Sequence, residues 1–163
     1  MMKVGSVGAR AVWSQEAHKA QKAHKGITEG ETTMTKTVPH NGEILALVNV
    51  IRQTSYDVHK YLRSGFTEKI YENALANRLR KQGFRAEQQQ CVRVFDEDGA
   101  LLGLFRTDIL IDRTIICEIK SCSSLVDAHT AQLLGYLRAT RMTHGLLINF
   151  GAPKLEIKKY ILT

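Results

Sequence analysis

Little in this chain suggests covalent or metal staples. It has three cysteines, Cys91, Cys117 and Cys122, an odd number with no C-x-x-C pair. That argues against a disulfide framework and a zinc knuckle, and for a reducing, cytoplasmic setting. Apolar runs such as Ile115-Ile116-Cys117 fall far short of the roughly 20 residues that span a bilayer, so no membrane partner is expected. The opening Met1-Met2-Lys3-Val4-Gly5-Ser6 lacks the apolar segment of a secretory leader. One tryptophan and scattered aromatics argue against a base-stacking sheet of the single-strand-binding kind. No P-loop and no G-x-G-x-x-G is present. Asp96 to Asp98 supplies only three acids before a glycine, too short for a calcium loop.

What is there is an ordinary domain's worth of chain. At 163 residues, 44% apolar and 24% charged, it is neither disordered throughout nor a membrane protein. Lys plus Arg is 23 against 16 Asp plus Glu, a net +7. Such a balance suits a polyanionic partner, but charge alone is weak evidence for one.

Composition divides the chain near residue 42. No Leu, Phe or Tyr precedes Leu45, and residues 1–42 carry six Lys/Arg, three Glu and three of the six histidines. A stretch without large apolar side chains cannot offset its ordering entropy. Residues 1–42 are therefore expected to be a mobile basic tail, with a transient helix over Gln15 to Lys25. Met34 offers an alternative start, from which a shorter chain without residues 1–33 would run.

From Glu43 the pattern is regular. Ile44, Leu47, Val48, Ile51, Val58 and Leu62 follow helical spacing, and Ser64-Gly65 supplies a stop. Thr67 is a suitable N-cap for a second helix with Glu68 in its first turn. Its apolar stripe is Ile70, Tyr71, Ala74, Leu75 and Leu79, and Gly83 ends it. The period then becomes two. Strands are expected over Gln90 to Phe95, Ala100 to Phe105, Arg106 to Ile111 and Ile115 to Ser121. Asp127 would cap a third helix running through Arg138. Gly145 to Phe150 reads as an apolar strand, and Leu155 to Leu162 as an edge strand. The expected fold is α/β, a mixed sheet with helices packed on it, over residues 43–163.

The chemistry sits in the middle hairpin. A three-residue loop at Asp112-Arg113-Thr114 is a common hairpin length. It sets Ile111 opposite Ile115, Asp108 opposite Glu118, and Arg106 opposite Lys120. One face becomes Arg106, Asp108, Leu110, Ile116, Glu118 and Lys120. The other, Ile109, Ile111, Ile115, Cys117 and Ile119, is wholly apolar, which selects this register over a two-residue loop. Charges in a half-buried sheet are costly unless paired or bound to metal. Glu-x-Lys itself distinguishes nothing, since it recurs at Glu156-Ile157-Lys158. On spacing alone, an ion-pair ladder of Arg106 and Lys120 with Asp108 and Glu118 stands level with an active site.

The chain also resembles a known family. Gly65-Phe66-Thr67-Glu68-Lys69-Ile70-Tyr71 is similar to the signature of the GxxExxY proteins of the PD-(D/E)xK nuclease-like superfamily. The resemblance continues through Arg106-Thr107-Asp108, Glu118-Ile119-Lys120-Ser121, Ala131 to Leu137 and Gly145 to Gly151, over about residues 43 to 163. It implies a restriction-endonuclease-like core in the order α-β-β-β-α-β, with Asp108 and Glu118 as acidic metal ligands and Lys120 as the catalytic lysine. Glu68 matches the helical glutamate and Gln132 the glutamine on the helix after the core hairpin. Thr107 stands before Asp108 where the family name has Pro, and residues 1–42 have no counterpart.

Such a site makes physical sense. Mg²⁺, with Mn²⁺ as a substitute, takes one or two carboxylates plus waters and phosphate. Asp108, Glu118 and the Ile119 carbonyl would supply part of that shell. A metal there would lower the pKa of a bound water and polarise the phosphate. Lys120 would orient the water and stabilise developing charge, and with Arg106 it would attract the nucleic-acid backbone. Glu68 would assist a second ion, or simply serve the helix dipole. Gln132 would bond phosphate or Lys120. Tyr136, four residues on, reads more readily as core, as does Cys117. Asp127 and His129 read as cap and surface. Two classes remain: a Mg²⁺-dependent phosphodiesterase acting on DNA or RNA, and a non-catalytic nucleic-acid- or protein-binding module with the same fold. One small domain covers little duplex, which leaves room for a homodimer.

Overall fold

The computed structural model describes residues 41–163; the expected tail lies, except for its last two residues, outside the described residues. Helix α1 (Asn41–Leu62) is followed by α2 (Glu68–Lys81), β1 (Ala86–Phe95), β2 (Leu101–Ile111), β3 (Ile115–Lys120), α3 (Asp127–Thr140), β4 (His144–Asn149) and β5 (Glu156–Ile161). In α1 the buried stripe is Ile44, Val48, Ile51 and Val58. The helix tolerates buried Thr54 and Ser55 because their hydroxyls donate to the carbonyls of Val50 and Ile51, at 2.9 and 2.7 Å. It stops where Arg63 (φ 60°) and Gly65 (φ 117°) turn left-handed.

The five strands lie in chain order. All neighbours are antiparallel except β3 and β4, which are parallel and joined through α3. The hairpin register is Ile111↔Ile115, Leu110↔Ile116 and Ile109↔Cys117, the three-residue loop. Ile109, Ile111, Ile115, Cys117 and Ile119 all enter one core with α1 and α2. The opposite face packs Ile116 and Leu147 against Leu133 and Leu137 of α3. Every residue of β3 is buried. The core α2-β1-β2-β3-α3-β4 is the restriction-endonuclease-like arrangement.

Several local expectations are corrected. Ala100 to Phe105 and Arg106 to Ile111 are one continuous strand, β2; the change of pattern at residue 106 marks its passage into the main sheet, not a turn. β1 begins at Ala86, because the glutamines ahead of the apolar alternation find polar partners. Val126, not Asp127, precedes the first turn of α3, and its N–H donates to His129 Nδ1 at 3.3 Å. Ile70 is exposed, and the buried stripe of α2 is Tyr71, Glu72, Leu75, Ala76 and Leu79. Among the described residues, no helix is long and apolar enough to cross a membrane.

Candidate active site

Glu118 and Lys120 are held two apart on the central strand, with the Lys120 ammonium 2.8 Å from Glu118 Oε1. The Glu118 side chain is only 2% exposed and that of Lys120 11%. Burial pushes the Glu118 carboxyl up to about 7, and the neighbouring Asp108 adds to the rise against the Lys120 contact. Burial works against the Lys120 ammonium, but the bond to Glu118, with Glu68 and Asp108 nearby, outweighs it and holds Lys120 above its usual range. The second Glu118 oxygen, Oε2, is buried without a hydrogen-bond partner among the described residues. A buried carboxylate oxygen left bare is costly, and a cation there would satisfy it.

Asp108 comes from the neighbouring strand. The β2–β3 ladder runs from Ile111↔Ile115 to Ile109↔Cys117. One residue beyond, Asp108 Oδ2 accepts the Ile119 amide at 2.7 Å, so a side chain closes the next step between the strands. Burial raises the Asp108 carboxyl and this backbone bond partly counters it. Asp108 Oδ1 receives Gln89 Nε2 at 3.4 Å, and the same amide donates to Glu72 Oε2 at 2.9 Å. Gln89 sits at φ 55°, a left-handed backbone that an ordinary side chain adopts at a cost. Glu72, buried on α2, also receives Gln88 at 2.9 Å and Lys69 at 2.9 Å.

The ion-pair ladder does not form as a whole. Lys120–Glu118 is present, but Arg106 is exposed, lies across from Cys91 of β1 and makes no ion pair among the described residues. Arg106 does not pair across from Lys120, because the ladder between β2 and β3 ends before it. Gln132 Oε1 accepts from Lys120 at 3.0 Å, while Gln132 Nε2 donates to the Tyr136 hydroxyl at 2.6 Å. Tyr136 in turn stacks on Phe105, ring centroids 4.1 Å apart. Its role is therefore both packing and orientation. Glu68 opens α2 and its Oε1 accepts the Ser121 amide at 3.3 Å. Cys117 is core, and burial drives its thiol strongly up, which makes it inert.

The glycine–glutamate–tyrosine spacing has a physical reading. Gly65 allows the left-handed turn. The Tyr71 hydroxyl donates to the Arg63 carbonyl at 2.6 Å and accepts the Phe66 amide at 3.2 Å. Its ring stacks on Phe150, centroids 4.7 Å apart. The turn is thereby pinned so that Glu68 reaches the segment after Lys120. That segment is fixed from the other side by buried Asn149, whose Oδ1 accepts the Cys122 and Gly151 amides at 3.1 and 3.0 Å. A Cβ at Gly151 would fall on the Ser121–Cys122 backbone.

Among the described residues, no three His, Cys, Asp or Glu side chains form a ready-made metal cage. Asp108 and Glu118 still suit Mg²⁺, which takes one or two carboxylates and fills its shell with water; the bare Glu118 Oε2 is the observation that favours this. Glu72, Gln89 and Asn149 were missed as candidates. Gln88 to Gln90, three polar residues before an alternating strand, was the available signal for the first two.

A family model for the PD-(D/E)XK nuclease superfamily matches residues 46–160. No curated protein matches the chain. A solved structure described as "Crystal structure of SSO0001" is similar at 18% identity and a TM-score of 0.49, covering 92% of this chain and 77% of that one.

Proposed function

Since this chain belongs to the PD-(D/E)XK nuclease superfamily, we propose that it is a divalent-metal-dependent phosphodiesterase cutting DNA or RNA, of the GxxExxY type within that superfamily. The observation that carries this reading is the buried Glu118, with one oxygen on Lys120 and the other bare. Asp108 and Glu118 would hold Mg²⁺ or Mn²⁺, with Glu68 at the margin. The ion would polarise the phosphate and make a water nucleophilic at neutral pH. Lys120, held protonated by its neighbours, is unsuited to act as a base; it stabilises charge gathering on the phosphate oxygens and orients the attacking water. Gln132 keeps the ammonium aimed, itself steadied by Tyr136. The Ile119 amide fixes one Asp108 oxygen.

The test is cleavage of single-stranded, duplex and branched DNA and RNA with Mg²⁺ or Mn²⁺. Asp108→Ala and Glu118→Ala should abolish cleavage but keep or improve binding, because a bare carboxylate repels phosphate. Lys120→Ala should weaken both. Glu68→Ala and Gln132→Ala should lower the rate less steeply. If no substrate is cut, and calorimetry finds no metal site that Asp108→Ala removes, the chain is a binding module with a nuclease fold.

A further inference from the structure

β1 and β2 run on past the rest of the sheet. Their pairing extends from Ala86↔Ile111 to Phe95↔Leu101, whereas β3 pairs with β2 only from Ile111 to Ile109. The outer part is a two-stranded arm. One face is sheltered: Val92 pairs with Phe105, whose ring lies on Tyr136 of α3. The other is open, with Arg93 opposite Leu104 and Cys91 opposite Arg106, all exposed. A register shift between Val94 and Phe95 leaves Leu102 without a cross-strand partner. Phe95, Leu101, Leu102 and Leu104 are 55, 55, 63 and 56% exposed. Single exposed leucines are ordinary, but four large apolar residues on one arm mark an interaction surface.

Charge narrows the partner. The tip of the arm is Asp96-Glu97-Asp98, exposed and acidic, while Arg93 and Arg106 lie toward the stem. Three carboxylates at the tip repel phosphate, so a nucleic acid lying along the whole arm is disfavoured. The apolar residues lie between the acidic tip and Arg106. A two-fold axis through that apolar stretch therefore brings leucines against leucines and each tip over the other arm's arginines. That self-complementarity is what an isologous contact requires.

We infer that the β1–β2 arm is a docking surface for a second copy of this chain, packed antiparallel on its open face. The contact pairs an apolar centre with charged ends. It stands independently of the proposed catalytic reading, since it uses none of the candidate site's carboxylates.

Sedimentation velocity on the whole chain across concentration and salt tests it. A monomer–dimer equilibrium that weakens with salt is expected. Leu104→Glu and Leu102→Glu should raise the dissociation constant at least about tenfold at an unchanged melting temperature. Arg93→Glu and Glu97→Lys should each weaken the dimer, and the chain carrying both should regain it. Glu97 is chosen because Asp96 and Asp98 accept turn amides, each at 2.8 Å. A chain monomeric at every concentration, a dimer indifferent to Leu104→Glu, or a double variant no tighter than the singles would overturn the inference. So would a monomer whose duplex binding is what these substitutions weaken.

Discussion

Glu118 is the residue on which most depends. In the unfolded chain its carboxyl titrates near the ordinary 4.5, and in the fold near 7. The native state thus binds the extra proton between those values, so the metal-free protein loses stability as pH rises from about 4.5 to 7 and does not recover it above. Asp108, also raised, adds to the same slope; Lys120 does not, since it is raised further from an ordinary value already well above this window. Urea unfolding at several pH values should show this decline, Glu118→Gln should flatten it, and Mn²⁺ should reverse it at pH about 8 by binding the native carboxylates. A pH-independent midpoint in this window would contradict the burial argument. Gln89 offers a second test. Gln89→Ala removes a donor shared by two carboxylates and should cost about 1–3 kcal/mol. Gln89→Gly removes the same donor but relaxes the φ of 55°, and should unfold about 1 kcal/mol later than the alanine variant. Equal unfolding energies would show that the backbone there holds no strain.

Among the elements, Gly145 inside β4 and Gly151 just beyond it separate packing from function. A methyl at Gly145 meets the end of Leu133 at 3.0 Å, a flexible side chain of α3. A methyl at Gly151 meets the backbone after Lys120 instead. Gly145→Ala should therefore lower the unfolding free energy by the modest amount typical of overpacking, about 1–3 kcal/mol, with cleavage retained. Gly151→Ala should displace the Ser121–Cys122 turn and, since small misplacements cost rate steeply, reduce cleavage about a hundredfold. Parallel assays of unfolding and turnover distinguish the two, and equal losses of activity would refute the assignment.

Across the whole molecule, the sheet's middle was legible and its margins were not. Five apolar residues alternating through Ile109 to Ile119 settle the hairpin register, and with it the shared side of Asp108 and Glu118, because one slip would expose all five. The two helices before the sheet followed from Val48, Ile51, Leu75 and Leu79 at helical spacing. Three features escaped the period rules. The glutamine stretch before Cys91 carries no apolar alternation, so the first residues of β1 became visible only through their bonds to Glu72 and Arg80. Arg106 was set against Lys120 by extending a ladder that its own neighbour Asp108 interrupts. Asn149 looked like one more residue of an apolar strand, and its importance comes from two loop amides, that of Gly151 close by and that of Cys122, distant in sequence.

Those two amides have a consequence for how the protein is made. Synthesis supplies Glu68 first, then Asp108, then Glu118 and Lys120, and Asn149 and Gly151 after all of these. A nascent chain halted before residue 149 already carries every acidic and cationic group of the candidate centre. It lacks the side chain that ties down Cys122 and the Phe150 amide that donates to the Lys120 carbonyl at 2.8 Å. The centre is consequently completed only once β4 and the residues just after it have been made, later than all of its charged groups.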